Sequence, residues 1–185
     1  FELHKQEAIK QGCRQLFLEV LVENERAIKF YRKLGYEKIY DLAYFSLPVS
    51  HGAILRELPG YKIKSIALPE LRQSVGKAIN VHINWQNDID YIEKSSNLSC
   101  LGAYCGKELV GSLCVNPQGK IHFLWVDADC RGRGIARGLL GTAQAEIQLP
   151  QFSAGFPNNN LLEGFFKRMG FVRNSVAQYE MYRAL

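Results

Sequence analysis

No apolar run in this 185-residue sequence approaches the roughly 20 residues that a helix needs to cross a bilayer. No charged stretch leads into a short apolar core, so nothing marks a secretory leader, and the first residue is Phe rather than Met. Cysteine is sparse and odd in number: Cys13, Cys100, Cys105, Cys114 and Cys130. Their spacings match no zinc pattern, so no metal is expected. They read as reduced thiols, mostly half-buried in strands, of a cytoplasmic protein. The sequon Asn97-Leu98-Ser99 then carries no weight. Excess charge is small, +5, too little to argue for nucleic acid and no sign of a membrane partner. What is present is 47% hydrophobic and 22% charged residues, the balance of a globular protein with a real core.

The pattern along the chain is α/β. Phe1 to Gly12 reads as a helix, and "RQLFLEVLV" from Arg14 to Val22 as a largely buried strand. Asn24 is a good N-cap for a helix that ends at Gly35, and "EKIYDLAYFSL" alternates as one or two strands. Residues 48–60, with two prolines and two glycines, form a candidate linker. After it come a strand "YKIKSIAL", a helix from Pro69 and a second short helix "WQNDIDYIEKSS". Cys100 to Ala128 reads as three antiparallel strands, with turns at Gly106-Lys107 and at Asn116 to Gly119. A further helix has Ile135, Leu139, Leu140, Ala143 and Ile147 on one face. The chain closes with a strand near Gln151, a helix from about Asn160, and strands from Phe171 onward.

The segment "CRGRGIARGLL", Cys130 to Leu140, joins the third of those strands to the helix and crowds glycines with arginines. A glycine-rich turn opening a helix presents backbone N–H groups, and the helix dipole adds partial positive charge. Gly132 and Gly134 allow close approach of an anion, and Arg131, Arg133 and Arg137 supply charge. A pyrophosphate fits such a nest. A solvated turn and an RGG-like nucleic-acid segment are the competing uses, but the latter are long and repetitive. The Lys-Ser/Thr ending of a P-loop is absent, and the G-x-G-x-x-G spacing is broken at Arg137.

The end of the sequence repeats its beginning. At an offset of 135, "NERAIKFYRKLGY" falls on "NNLLEGFFKRMGF": Asn24 meets Asn159, Tyr31 meets Phe166 and Gly35 meets Gly170. The strand, the "RGRGIA" loop leading a helix, and the later "N…FFKRMGF" resemble the GNAT (Gcn5-related N-acetyltransferase) family. "LFLEVLVENERAIKFYRKLGY" resembles the family's later motif more closely still. The resemblance implies a GNAT fold with a mixed sheet. It implies the C-terminal half of one repeat over residues 1–47, a linker over 48–60, and a complete domain over 61–185. Phe1 falls just past where a first loop would end, so a tandem protein incomplete at its start is expected.

The family implies acetyl-CoA as co-substrate. Arg131, Gly132, Arg133, Gly134, Ile135 and Ala136 would hold its pyrophosphate. The backbone of Trp125, Val126 and Asp127 would pair with the pantetheine arm, and Asn159 stands at a cofactor-contacting position. The implied reaction is acetyl transfer to a primary amine, of a small molecule or a peptide, with a homodimer as the candidate assembly. Many members use a Tyr in the "F-Y-x-x-L-G" helix to protonate the leaving thiolate. Tyr31 occupies that position in the first copy and Phe166 in the second. An active first domain, another donor such as Tyr179, Tyr182 or water, and a non-catalytic acyl-CoA-binding module all remain open. His122 and Glu19 are candidate bases, although a strand His is more often structural. Trp85 and Trp125 read as core. Acceptor choice is expected to lie in Pro69 to Ser96 and Asn174 to Tyr182.

Overall fold

The computed structural model describes residues 1–48, 58–78 and 82–185. Eight strands form one mixed sheet in the order β1-β8-β2-β7-β6-β5-β4-β3. The strands are β1 (Gln15–Leu21), β2 (Glu37–Pro48), β3 (Lys62–Ser65), β4 (Ser99–Cys105), β5 (Glu108–Val115), β6 (Lys120–Val126), β7 (Gln151–Pro157) and β8 (Val172–Ala184). The helices are α1 (Glu2–Lys10), α2 (Glu25–Lys33), α3 (Leu68–Lys77), α4 (Ile89–Ile92), α5 (Ile135–Ile147) and α6 (Asn160–Arg168), with a 3-10 turn at Trp85–Asn87. All strand pairs are antiparallel except β6 with β7. This is an α/β architecture, as the sequence implies.

Alternation along the strands sorts the helices into two layers. Ala43, Phe45, Phe152, Ala154 and Phe156 face α5 and α6, meeting Leu139, Leu140, Ala143 and Phe166 in the main core. Val20 and Met181 pack against Ile28 of α2, with Tyr31 beside them. The opposite face carries α3 and α4, over Cys100, Cys114, Phe123 and Trp125. Each fully buried large side chain contributes about 1.5–3 kcal/mol by leaving water. Asn24 caps α2 by accepting from Ala27 N–H, and Asn159 caps α6 by accepting from Leu161 and Leu162 N–H.

The two β–α–β units match closely. β1, α2 and β2 begin 136, 135 and 135 positions before β7, α6 and β8. The units do not stand side by side. β8 lies between β1 and β2, and β2 lies between β8 and β7. Each unit's second strand therefore pairs with the other unit's first.

Three local expectations need correction. β1 is not largely buried, with Val20 its single buried residue, because among the described residues it stands at the end of the sheet and pairs on one side. The C-terminal segment forms one long strand, bent by irregular pairing of β2 with β8 near Tyr40 and Phe45. The cysteines are not mostly half-buried: Cys100 and Cys114 are buried, Cys13 and Cys105 exposed, and only Cys130 intermediate. The linker falls mostly outside the described residues, and Pro48 at its start closes β2. No helix among the described residues is long and apolar enough to cross a membrane.

Candidate functional site

The parallel pair β6 and β7 is in register only at Lys120 with Ser153 and at Ile121 with Ala154. Beyond that point the strands part, and a cleft opens toward Val126 on one side and Pro157 on the other. α5 starts at the mouth of this cleft. Gly132 and Gly134 both adopt left-handed backbone, φ +77° and +86°, which an L side chain tolerates poorly. The first hydrogen bond of the helix runs from Gly138 N–H to Gly134 O. The amides of Gly132 through Arg137 have no partner among the described residues. A Cβ at Gly132 would meet nothing within 4 Å, so the loop is open on that side. Leu58 covers the other side and touches Gly138 so closely that a methyl group there would clash.

The arginines are placed unequally. The Arg131 guanidinium donates to Val126 O (3.1 Å) and is pinned to the end of β6. Arg133 donates to Asp129 O (3.0 Å) and Tyr61 Oη (3.3 Å). Arg137 is exposed on the first turn of α5. Val126 O is thus engaged by a side chain, and Asp127 N–H donates to Val110 O. The Trp125 side chain packs under α3, where Lys77 Nζ lies 5.4 Å from its ring centroid. The structure therefore brings Trp125, Val126, Asp127 and Arg131 to Ala136 together at one end of β6. The oxygen of Asn159 is spent on its helix cap.

Tyr31 is not at this place. It stands on α2 against Phe30 and Tyr36, over β1 and β8. The strands β2 and β7 separate β8 from β6, so the loop is roughly 14 Å away across the sheet by strand spacing alone. Phe166 is buried among the rings of Phe45, Phe156, Phe165 and Phe171.

On the α3 and α4 face, the 3-10 turn bonds to β1, β6 and β7 and seals the closed end of the cleft with a polar network. Asn87 donates to Gly155 O on β7 (2.8 Å) and to Asn84 Oδ1 (2.8 Å). Its own Oδ1 is buried and unpartnered among the described residues. Gln86 and Asn84 donate to the Glu19 carboxylate at 2.7 and 3.0 Å, and Lys120 Nζ donates to Gln86 Oε1. His122 Nδ1 lies 3.0 Å from Gln86 O. A carbonyl only accepts, so Nδ1 carries the proton and Nε2 of the neutral ring holds a lone pair. Burial pushes the His122 pKa below the ordinary imidazole value, and the Lys120 ammonium pushes it further. Burial also lowers Lys120 and raises Glu19, whose carboxylate is disfavoured again by Glu180 beside it. Glu180 is 1% exposed, bonded by His82 (2.9 Å) and Tyr182 Oη (3.1 Å), and is the direct cross-strand partner of Glu19.

Sequence reasoning singled out none of Gln86, Asn87 and Glu180, although all three lie in the segments expected to choose the acceptor. They are polar residues in unremarkable contexts until the sheet brings them together. Among the described residues no cluster of three His, Cys, Asp or Glu side chains could hold a metal.

Comparison with known proteins agrees with this geometry. The profile described as "Acetyltransferase (GNAT) domain" matches residues 71–182, and that of the "Acetyltransferase (GNAT) family" matches residues 3–36. No curated protein sequence matches. Among solved structures, a GCN5-related N-acetyltransferase from Kribbella flavida superposes with TM-score 0.70 at 10% identity, over 98% of this chain and 73% of that one. A tandem GNAT protein from the clavulanic acid biosynthesis pathway gives TM-score 0.68 at 13% identity, over 97% and 67%. A conserved protein of unknown function from Staphylococcus epidermidis gives 0.70 at 14% identity, over 99% and 77%. At these identities the structures speak for the fold alone, whereas one profile spans more than half of the sequence. The chain belongs to the GNAT acetyltransferase family.

Proposed function

We propose that this protein is an acetyl-CoA-dependent N-acetyltransferase acting on a primary amine, with its working site in the cleft between β6 and β7. The observation that carries this reading is the run of unpartnered amides from Gly132 to Arg137, over two left-handed glycines at the head of α5. A pyrophosphate satisfies such amides, and Arg133 and Arg137 flank it. The Arg131 guanidinium would leave Val126 O when the pantetheine arm takes that carbonyl. The buried Asn87 Oδ1, lacking a donor, is suited to an incoming N–H.

Acetyl-CoA supplies the acyl carbon in activated thioester form. The chain's own groups do the rest. His122 Nε2 accepts the proton of the attacking amine as the C–N bond forms and the C–S bond breaks. Gln86 O fixes the tautomer that makes this acceptance possible. The thiolate takes its proton from water, because Phe166 has none to give. Residues 1–47 act in this reading as half of a first repeat, whose Tyr31 takes no part at the loop from Arg131 to Ala136. The aromatic surround of Phe166 favours a second reading, a GNAT module that holds acyl-CoA without turnover.

Calorimetry with acetyl-CoA, followed by turnover against a panel of amines, tests both. Binding that weakens in Arg133→Glu and release of free CoA that depends on amine are expected. Binding without turnover selects the second reading, and no binding at sub-millimolar concentration removes both.

A further inference from the structure

On the face away from α5, a groove of about 400 Å³ runs between β1, β8 and the segment from the 3-10 turn to α4. Phe17, Trp85, Tyr91 and Tyr182 wall it, and the carboxylates of Asp88 and Glu180 line it. The walls are organised as two aromatic pairs. Trp85 meets Tyr91 edge-to-face at 5.1 Å, and Phe17 meets Tyr182 tilted at 6.0 Å. Neither pair is closed over: Phe17 is 45% and Tyr91 41% exposed. Two carboxylates differ in their neighbours here. Asp90 is bonded to Arg72, while Asp88 uses one oxygen to cap α4 and has no cationic partner among the described residues. Lys94 is the one cation along the groove among the described residues.

The groove is also wired to the cleft. Glu180 sits opposite Glu19 on the neighbouring strand, Glu19 holds Gln86, and Gln86 O holds His122. A ligand seated against Glu180 would therefore abut the same network that keeps His122 ready.

We propose that this groove is the acceptor site, and that the acceptor is a small cationic amine with a flat apolar body, of the arylalkylamine class. The inference rests on the acetyltransferase reading. Aromatic faces take the flat body and attract the adjacent charge, and the carboxylates of exposed Asp88 and buried Glu180 select a cation over an anion. An extended polyamine lacks the flat surface these walls match, and an amino acid carboxylate meets Asp88 and Glu180 as like charges.

The test is direct binding, without turnover. Phenethylamine, spermidine and glutamate are titrated into the protein with calorimetry and tryptophan fluorescence, and acetyl-CoA is titrated separately. Phenethylamine is expected to bind about tenfold or more tightly than the other two. Its binding should weaken about tenfold in Asp88→Asn and in Phe17→Ser, both exposed positions where the fold tolerates the change. Phenethylamine binding with no acetyl-CoA binding would sink the acetyltransferase reading and leave the groove. Acetyl-CoA binding with spermidine or glutamate preferred, or with phenethylamine unaffected by both substitutions, would overturn the groove's assignment alone.

Discussion

His122 owes its tautomer to a carbonyl 36 positions earlier in the chain, that of Gln86. A lowered pKa has a definite consequence for stability. The folded state favours the neutral ring, so the stabilisation is complete above the unfolded value of 6.5 and is lost as pH falls below it. The melting temperature should fall between pH 6.5 and 5, and fall less in His122→Gln. A thermal scan across that range checks it. The same substitution should lower kcat by about 100-fold, the usual share of a positioned base, with acetyl-CoA affinity unchanged. Gly132→Ala tests the loop at the same scale. Its φ of +77° makes any side chain strained, at a cost of about 1–3 kcal/mol. Acetyl-CoA binding should weaken roughly 5- to 100-fold by calorimetry while the fold persists. The glycine–arginine spacing was legible in the sequence because the local chain alone makes a nest. The state of His122 was not, because its partner belongs to a turn that reaches it only through the sheet.

At the scale of elements, α5 is the one whose register decides the site. Its apolar face was readable from periodicity, and Ile135, Leu139, Leu140 and Ala143 are all buried. Leu139 has no exposure, and Leu139→Ala should cost about 2–5 kcal/mol in chemical denaturation. β1 shows the opposite case. Leu, Val and Phe composition suggested burial, yet composition reports what a strand can pack against and not whether it has two neighbours. α1 is likewise helical as expected, with no buried residue. The acceptor segments were placed by sequence at Pro69 to Ser96 and Asn174 to Tyr182. Trp85, Tyr91, Glu180 and Tyr182 of the groove fall within them, although Trp85 read as core and Phe17 as part of a buried strand outside them.

For the whole molecule, the matched β–α–β units were visible as an offset of about 135 residues, but their interleaving was not. Repeats in sequence state which elements are alike and carry no information about which pair. Because β2 fills the place between β8 and β7, residues 1–47 are bound into the same sheet as the cleft. A chain beginning at residue 58 should lack a cooperative thermal transition by circular dichroism, since β7 would lose one neighbour and β8 both.

The same interleaving sets a schedule for synthesis. β2 ends at Pro48, and its first sheet neighbour, β7, begins at Gln151. At about 5–20 residues per second, a ribosome needs roughly 5–20 s to bridge that interval. Throughout it, β1 and β2 wait with open edges, because neither pairs with the other. The protein's exposure to misassembly is therefore greatest while half made, and slower translation between residues 48 and 151 would lengthen it.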